Sequence, residues 1–131
     1  MTESVMMALG DLRFSIKTAA YDSFRRHISF RWVAGERLGN YESLQFSGFK
    51  NDEVNLKGII YPEKAGKRGL EYIEEIKKEG AKGEPLLLVD GLGNSHGKWV
   101  IISIGESKSY FLKDGLTKKI EFDLAIKKYE S

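Results

Sequence analysis

The chain has 131 residues, with 21 basic and 19 acidic side chains, two histidines and no cysteine. That length suits one domain with a proper core, and Leu, Ile, Val and Phe together stand above the roughly 20% floor below which chains tend to stay disordered. The net charge of +2, with the two signs interspersed, is far from the basic excess of a non-specific nucleic-acid binder. Without cysteine there is no disulfide framework and no thiolate, which fits a reducing cytosol.

The first apolar run, Val5 to Leu9, is far short of the roughly 18 residues of a membrane span and lacks the basic flank of a signal peptide. A period of two then governs most of the chain. Leu12, Phe14 and Ile16 alternate with Arg13 and Ser15; Ile28, Phe30 and Trp32 alternate with Ser29 and Arg31. Leu44 and Phe46 follow, then Val54, Leu56 and Ile60. Successive strand side chains point to opposite faces, so each run describes a strand with one dry face and one wet face. On that reading Phe30 and Trp32 share a core-facing side with Ile28. Turns are expected at Gly39-Asn40 and at Asn51-Asp52.

From Gly69 to Glu79 the period changes. Leu70, Ile73 and Ile76 recur among Glu71, Glu74, Glu75, Lys77 and Lys78, which predicts one amphipathic helix over about 67–79. Gly80 occupies the place of a left-handed cap, and Lys77 and Lys78 suit the negative end of the helix dipole. Pro85 opens the apolar strand Leu86 to Val89, and Gly91, Gly93 and Gly97 mark a turn. Trp99 to Ile104 is continuously apolar, as expected of a strand covered on both sides. Asp114-Gly115 is a two-residue hairpin signal that makes the last two strands neighbours, the final one carrying Ile120, Phe122, Leu124 and Ile126. The expected class is α+β: a β-rich sandwich or partly open barrel with one helix closing a side.

Sites for chemistry are few. Asp90 to Lys98 looks like a phosphate loop, but Leu92 stands where a P-loop needs glycine, Trp99 where it needs Ser or Thr, and His96 where the dinucleotide fingerprint needs glycine. A strand follows, whereas both motifs require a helix. His27 lies beside Arg25-Arg26 and has no metal-ligand spacing; no zinc or calcium pattern occurs. Asp90, Ser95 and His96 share one loop, whereas a hydrolytic triad needs a scaffold to hold the base between nucleophile and acid. No cofactor is expected, and a hydrolase built around His96 is the last alternative. Phe24-Arg25-Arg26 and Phe30-Arg31-Trp32 could instead form a stacking platform for single-stranded nucleic acid on a small barrel. The charge balance and the core-facing reading of Phe30 and Trp32 weigh against it. A structural or interaction module, whose edge strands can serve as joints between subunits, is what remains.

Taken together, several blocks carry a resemblance. Met6-Met7-Ala8-Leu9-Gly10 and Phe14 lead to Arg31-Trp32, Arg37-x-Gly39 and Gln45-Phe46-x-Gly48. The most specific block is Leu56-x-Gly58-Ile59-Ile60-Tyr61-Pro62-Glu63. Gly80, Pro85-Leu86, Gly93, Gly97-x-Trp99-Val100-Ile101, Glu106, Phe111, Asp114-Gly115 and Ile120-Glu121-Phe122-x-Leu124 follow in order. In this the chain resembles the gpU-type tail protein family of contractile-tailed temperate phages, which has members in R-type pyocin clusters. Residues 1–5 extend the usual start, Ala65 to Gly69 replaces paired glycines, Glu84 replaces a tryptophan, and the chain stops at Ser131 without the extension some members carry.

The resemblance implies one tail-protein domain over residues 1–131 with a fold similar to tail-tube proteins, and a structural rather than enzymatic role. It implies a ring of six copies that joins tube, hub and baseplate during assembly, or alternatively a terminator at the head-proximal end. Expected partners are other tail proteins, with no membrane and no direct nucleic-acid recognition. The expected location is the bacterial host cytoplasm, then the virion tail or tail-like particle. Among the motif residues, Gly58 predicts a bulge or close backbone approach, Tyr61, Pro62 and Glu63 end a strand, and Asp114 and Gly115 set the register of the last hairpin. Arg37, Glu63 and Glu106 are the candidates for subunit contacts, because an Arg–carboxylate pair gives directional, bidentate recognition.

Overall fold

A computed structural model describes residues 5–15, 21–35, 39, 41, 43–111 and 117–129. The strands are β1 (Val5–Leu9), β2 (Leu12–Ser15), β3 (Tyr21–Gly35), β4 (Ser43–Ile60), β5 (Leu86–Asp90), β6 (Ser95–Phe111) and β7 (Thr117–Lys128), with one helix, α1 (Pro62–Ala81), between β4 and β5. They form one seven-stranded antiparallel sheet in the order β2-β1-β5-β6-β7-β4-β3. The sheet is open, with β2 and β3 as its edges.

The sheet is strongly curled. β2 and β7 are four places apart, which in a flat sheet would separate them by about 19 Å. Yet the rings of Phe14 on β2 and Phe122 on β7 stack with centroids 6.5 Å apart. Inside the curl lie the alternating residues read from the sequence: Leu12 and Phe14, Val54, Leu56 and Ile60, and Ile120, Phe122, Leu124 and Ile126, all buried. Each such side chain removed from water contributes roughly 1.5–3 kcal/mol, which is why a strict period of two fixes the face of each strand.

The helix begins earlier than the 67–79 expected, because Pro62 pre-sets the helical backbone at the first turn, where its missing N–H is not needed, and it runs on to Ala81. Tyr61-Pro62 does end β4, as its chemistry requires. The helix packs on β6 and β7 and buries Tyr72, Ile73 and Ile76; the side chain of Leu70 lies outside the described residues. The Tyr72 hydroxyl donates to the Arg13 carbonyl at 2.6 Å, and its ring meets Phe14 edge-on at 5.7 Å. Gly80 is not the cap. It sits inside the helix, where an added Cβ would stand 3.4 Å from Ile101 Cγ2, and the left-handed position is Gly83 at φ +67°.

Other expectations give way to the tertiary structure. Asn51-Asp52 makes no turn: β4 runs through it as one strand of 18 residues. Trp99 is fully buried but Ile102 is 59% exposed, so β6 is covered on one face only. Phe30 and Trp32 are more than half exposed and lie outside the core.

Candidate functional site

β4 pairs with β7 only from Glu53 to Ile60, but with β3 all the way from Gly58 out to Ser43. Beyond Asp52 the two strands therefore leave the sheet as a free two-stranded arm. Its outer part, Ile28 to Gly35, adds about 27 Å at a strand's rise per residue. Gly39, at φ +72°, lies in the connection at the tip.

The arm keeps its apolar side chains on one face. Phe24 pairs with Leu56, Arg26 with Val54, Ile28 with Asp52, Phe30 with Phe49, Trp32 with Phe46 and Ala34 with Leu44. On β3 these partners step by two. On β4 they step by three from Asp52 to Phe49 to Phe46, because each of two bulges inserts an extra residue there. Gly48, at φ +101°, supplies the left-handed backbone in the second bulge. The bulges thus hold Phe49 and Phe46 in line with the core-facing set. The rings lock together: Phe30 meets Phe49 at 5.4 Å and Phe46 at 6.2 Å, and Trp32 meets Phe46 edge-on at 5.2 Å. The face that buries Val54 and Leu56 thus continues into solvent as an aromatic ribbon.

At the root stands a clamp. Arg26 Nε donates to Asp52 Oδ1 at 2.9 Å and Nη2 to Oδ2 at 2.7 Å, which raises the guanidinium's already high pKa. The guanidinium carbon also lies 5.4 Å from the ring centroid of Trp99, and Lys128 Nζ lies 5.3 Å from it. Buried Trp99 donates its indole N–H to the His96 carbonyl at 2.9 Å, and Lys128 Nζ donates to the same carbonyl at 2.5 Å. Arm root, β6 and β7 therefore meet on one indole.

Below the clamp is a pocket of about 260 Å³, walled by Met7, Val54, Leu88 and Trp99, with Phe24 and Arg26 from the arm root and Asp90 and His96 as its other polar members. Asp90 and His96 belong to the turn between β5 and β6. Asp90 Oδ1 accepts the backbone N–H groups of Leu92 and Asn94, and Oδ2 faces His96 Nε2 at 2.9 Å. These bonds, the His96 contact first, hold the Asp90 pKa down at about 2. Ser95 Oγ accepts from the Gly97 N–H at 3.5 Å. The three residues that could be written as a triad are thus engaged in building the turn.

The motif residues fall elsewhere. Gly58 is buried in β4, opposite Tyr21 and Phe122, and an extra residue in β3 bulges beside it. Tyr61 is half-exposed, and Pro62 and Glu63 open α1. Glu106 on β6 accepts from Lys77 at 2.9 Å, and Lys77 also reaches Glu74 at 3.1 Å; the two carboxylates, Glu106 foremost, raise the lysine pKa. Arg37, Asp114 and Gly115 lie outside the described residues, though β6 and β7 do pair as antiparallel neighbours. The arm's exposure and the Arg26–Asp52 clamp escaped the sequence reading. Their one trace there is a pattern of aromatics alternating with Arg31 that looks the same in a core strand and in a free ribbon.

Two solved structures share this architecture. The chain superposes with a TM-score of 0.59 at 15% identity on a chain from the tail of an empty gene transfer agent particle with C6 symmetry, covering 98% of this chain and 92% of that one. It superposes with a TM-score of 0.69 at 8% identity on the Dit protein of phage SPP1, described as a hub of the adsorption apparatus, covering 95% of this chain and 49% of that one. The fold class is that of phage tail and hub proteins.

The family model described as Phage P2 GpU matches residues 10–131. The chain belongs to that family, the phage tail family its motifs resemble. It is also 27% identical over 125 residues to a probable tape measure protein of Halomonas phage phiHAP-1. The match takes in 94% of this chain but spans only 14% of the length of that curated relative.

Proposed function

We propose that this protein is a structural subunit of a contractile phage tail or tail-like particle, assembled as a ring of six at the baseplate end that bridges tube, hub and baseplate. The carrying observation is the exposed apolar face of the outer β3–β4 arm. Four aromatic rings locked together and left in water make a poor monomer surface and a good interface core. Family membership and the tail-type fold support the same reading. The motif residues Arg37, Gly58, Tyr61, Pro62, Glu63, Glu106, Asp114 and Gly115 are proposed as fold-setting or subunit-contact positions in that ring. Glu106 would contribute through its link to Lys77 on α1.

The test is electron microscopy of induced lysates from a strain lacking this gene, beside a complemented control. Absent tails, or tubes and sheaths without an organised baseplate, support the initiating position. Overlong or ragged tails that fail to join heads place the protein at the head-proximal end instead. Normal particles in normal numbers overturn the tail role.

The exposure of Phe30 and Trp32 removes one reason for setting aside single-stranded nucleic acid. Against that reading, the rings turn edges and tilted faces on one another, and Asp52 neutralises Arg26. Oligonucleotide binding that weakens steeply with salt is the observation that would favour it.

A further inference from the structure

Exposed apolar surface is concentrated on one part of this chain. Of the fourteen large hydrophobic residues exposed among the described ones, nine lie on β3, on β4 or beside the connection between them. The other five are spread over Tyr61, β5, the β5–β6 turn, β6 and Tyr129. On the outer arm Phe30, Trp32, Leu44, Phe46 and Phe49 are each more than half exposed. At the surface that large aromatics carry, these five leave roughly 550 Å² of apolar area in water. That is at the upper end of the largest patch on a typical monomer, about 300–600 Å².

Three properties of this face select its partner. It is uncharged: outward from the Arg26–Asp52 pair it is made by Ile28, Phe30, Trp32 and Ala34 on β3 and by Leu44, Phe46 and Phe49 on β4. A phosphate or an acidic segment finds no cation there, and a like copy meets none of the charge repulsion by which exposed strands commonly exclude one another. It belongs to a two-stranded ribbon whose rings are fixed by mutual contact, and sheet faces pack on one another about 10 Å apart. Its area matches only itself: among the described residues no other part of the chain exposes a comparable apolar surface. Two such faces together bury roughly 1,100 Å², just under the roughly 1,200–2,000 Å² of stable complexes and within the range of transient ones.

We propose that the apolar faces of two arms pack on each other about a two-fold axis, so that the free protein is an exchanging dimer. Phe46 stands at the centre of the contact, because its ring touches Phe30 on one side and Trp32 on the other. Both copies use the same patch, so the contact closes at two and does not propagate. The pairing takes the rings out of water in the free protein, and its modest area lets it give way to a larger contact with the same face. It needs only the arm, and so stands independently of the tail role proposed above.

Sedimentation equilibrium of the full chain should show one copy going to two as concentration rises, with no larger species. The dissociation constant should hardly move between low and high salt, because no ion pair crosses the face. Phe46→Ala or Trp32→Ala should weaken the dimer about tenfold or more, as loss of aromatic anchors does. An unchanged urea midpoint separates that loss from unfolding. The chain has no cysteine, so a single introduced thiol reports one surface. Phe46→Cys treated with a bismaleimide should give a covalent dimer, and Leu44→Cys repeats the measurement with the rings intact. Ile102→Cys, 59% exposed on β6, should stay a single chain on the denaturing gel.

A single copy at every concentration would overturn the proposal, as would growth past two copies. So would a dimer that the two alanine variants leave intact or that high salt dissolves. The deletion phenotype is read separately. Defective particles with a monomeric protein sink the dimer and keep the tail role, whereas normal particles with a dimeric protein do the reverse.

Discussion

Arg26 and Asp52 grip each other through two parallel hydrogen bonds, 2.9 and 2.7 Å, just where β4 loses its pairing with β7 and the arm begins. The same guanidinium lies over Trp99, so one side chain links the arm's root to β6 as well. A ribbon of two strands is marginal in water on its own. This clamp, the bulges and the ring contacts are what hold it in one direction.

Asp52→Asn should therefore free the arm more than it destabilises the protein. The Arg26 side chain is 39% exposed, so solvent screening limits the global loss to about 1 kcal/mol or less. Hydrogen exchange should show amides of 28–34 and 44–51 losing protection while those of β6 and β7 keep theirs. A uniform loss across the sheet would contradict this.

The apolar face of β3–β4 should divide into two halves by consequence. Leu56→Ala, within the core, should cost about 2–5 kcal/mol in urea unfolding. Phe46→Ala or Trp32→Ala, on the free arm, should leave stability within about 1 kcal/mol and lower self-association in sedimentation. A large stability loss from the arm variants would mean that the arm is folded against its own sheet.

Trp99→Ala should be the most damaging single change, at about 3–5 kcal/mol. It empties a fully buried site, leaves Arg26 and Lys128 without their shared ring, and removes one donor to the His96 carbonyl. Trp99→Phe should cost less, since a phenyl ring still fills much of the buried site and keeps an aromatic face under Arg26 and Lys128. Denaturant midpoints of the two variants, measured together, check the ranking.

The turn at Asp90 should respond to acid. Its pKa is depressed to about 2 from an ordinary 3.8, so the stabilisation from its bonds to His96, Leu92 and Asn94 is complete above about pH 4 and is lost as pH falls through about 2. The difference in urea midpoint between the wild type and Asp90→Asn should accordingly shrink over that window. A gap that stays constant from pH 5 to pH 2 would refute the assignment.

Much of this protein was legible before the chain was folded. Leu12 and Phe14, Val54 to Ile60 and Ile120 to Ile126 lie in the core as their alternation required, because a strand with one dry face has a single register that hides it. Tyr61-Pro62 stopped β4, and Ile73 and Ile76 turned inward, for equally local reasons of backbone chemistry and helical period. The block around Gly58 to Glu63 pointed to the family. Periodicity says which residues share a face, but not whether anything covers it. Phe30 and Trp32 have the pattern of core residues and stand in water because β7 pairs with β4 only as far as Glu53. Curl of the sheet, the meeting of Arg26 and Lys128 on Trp99, and the pocket beneath them join residues far apart in the chain. Only the pairing of strands in space could decide those, and with them the surface through which the arm would meet a partner.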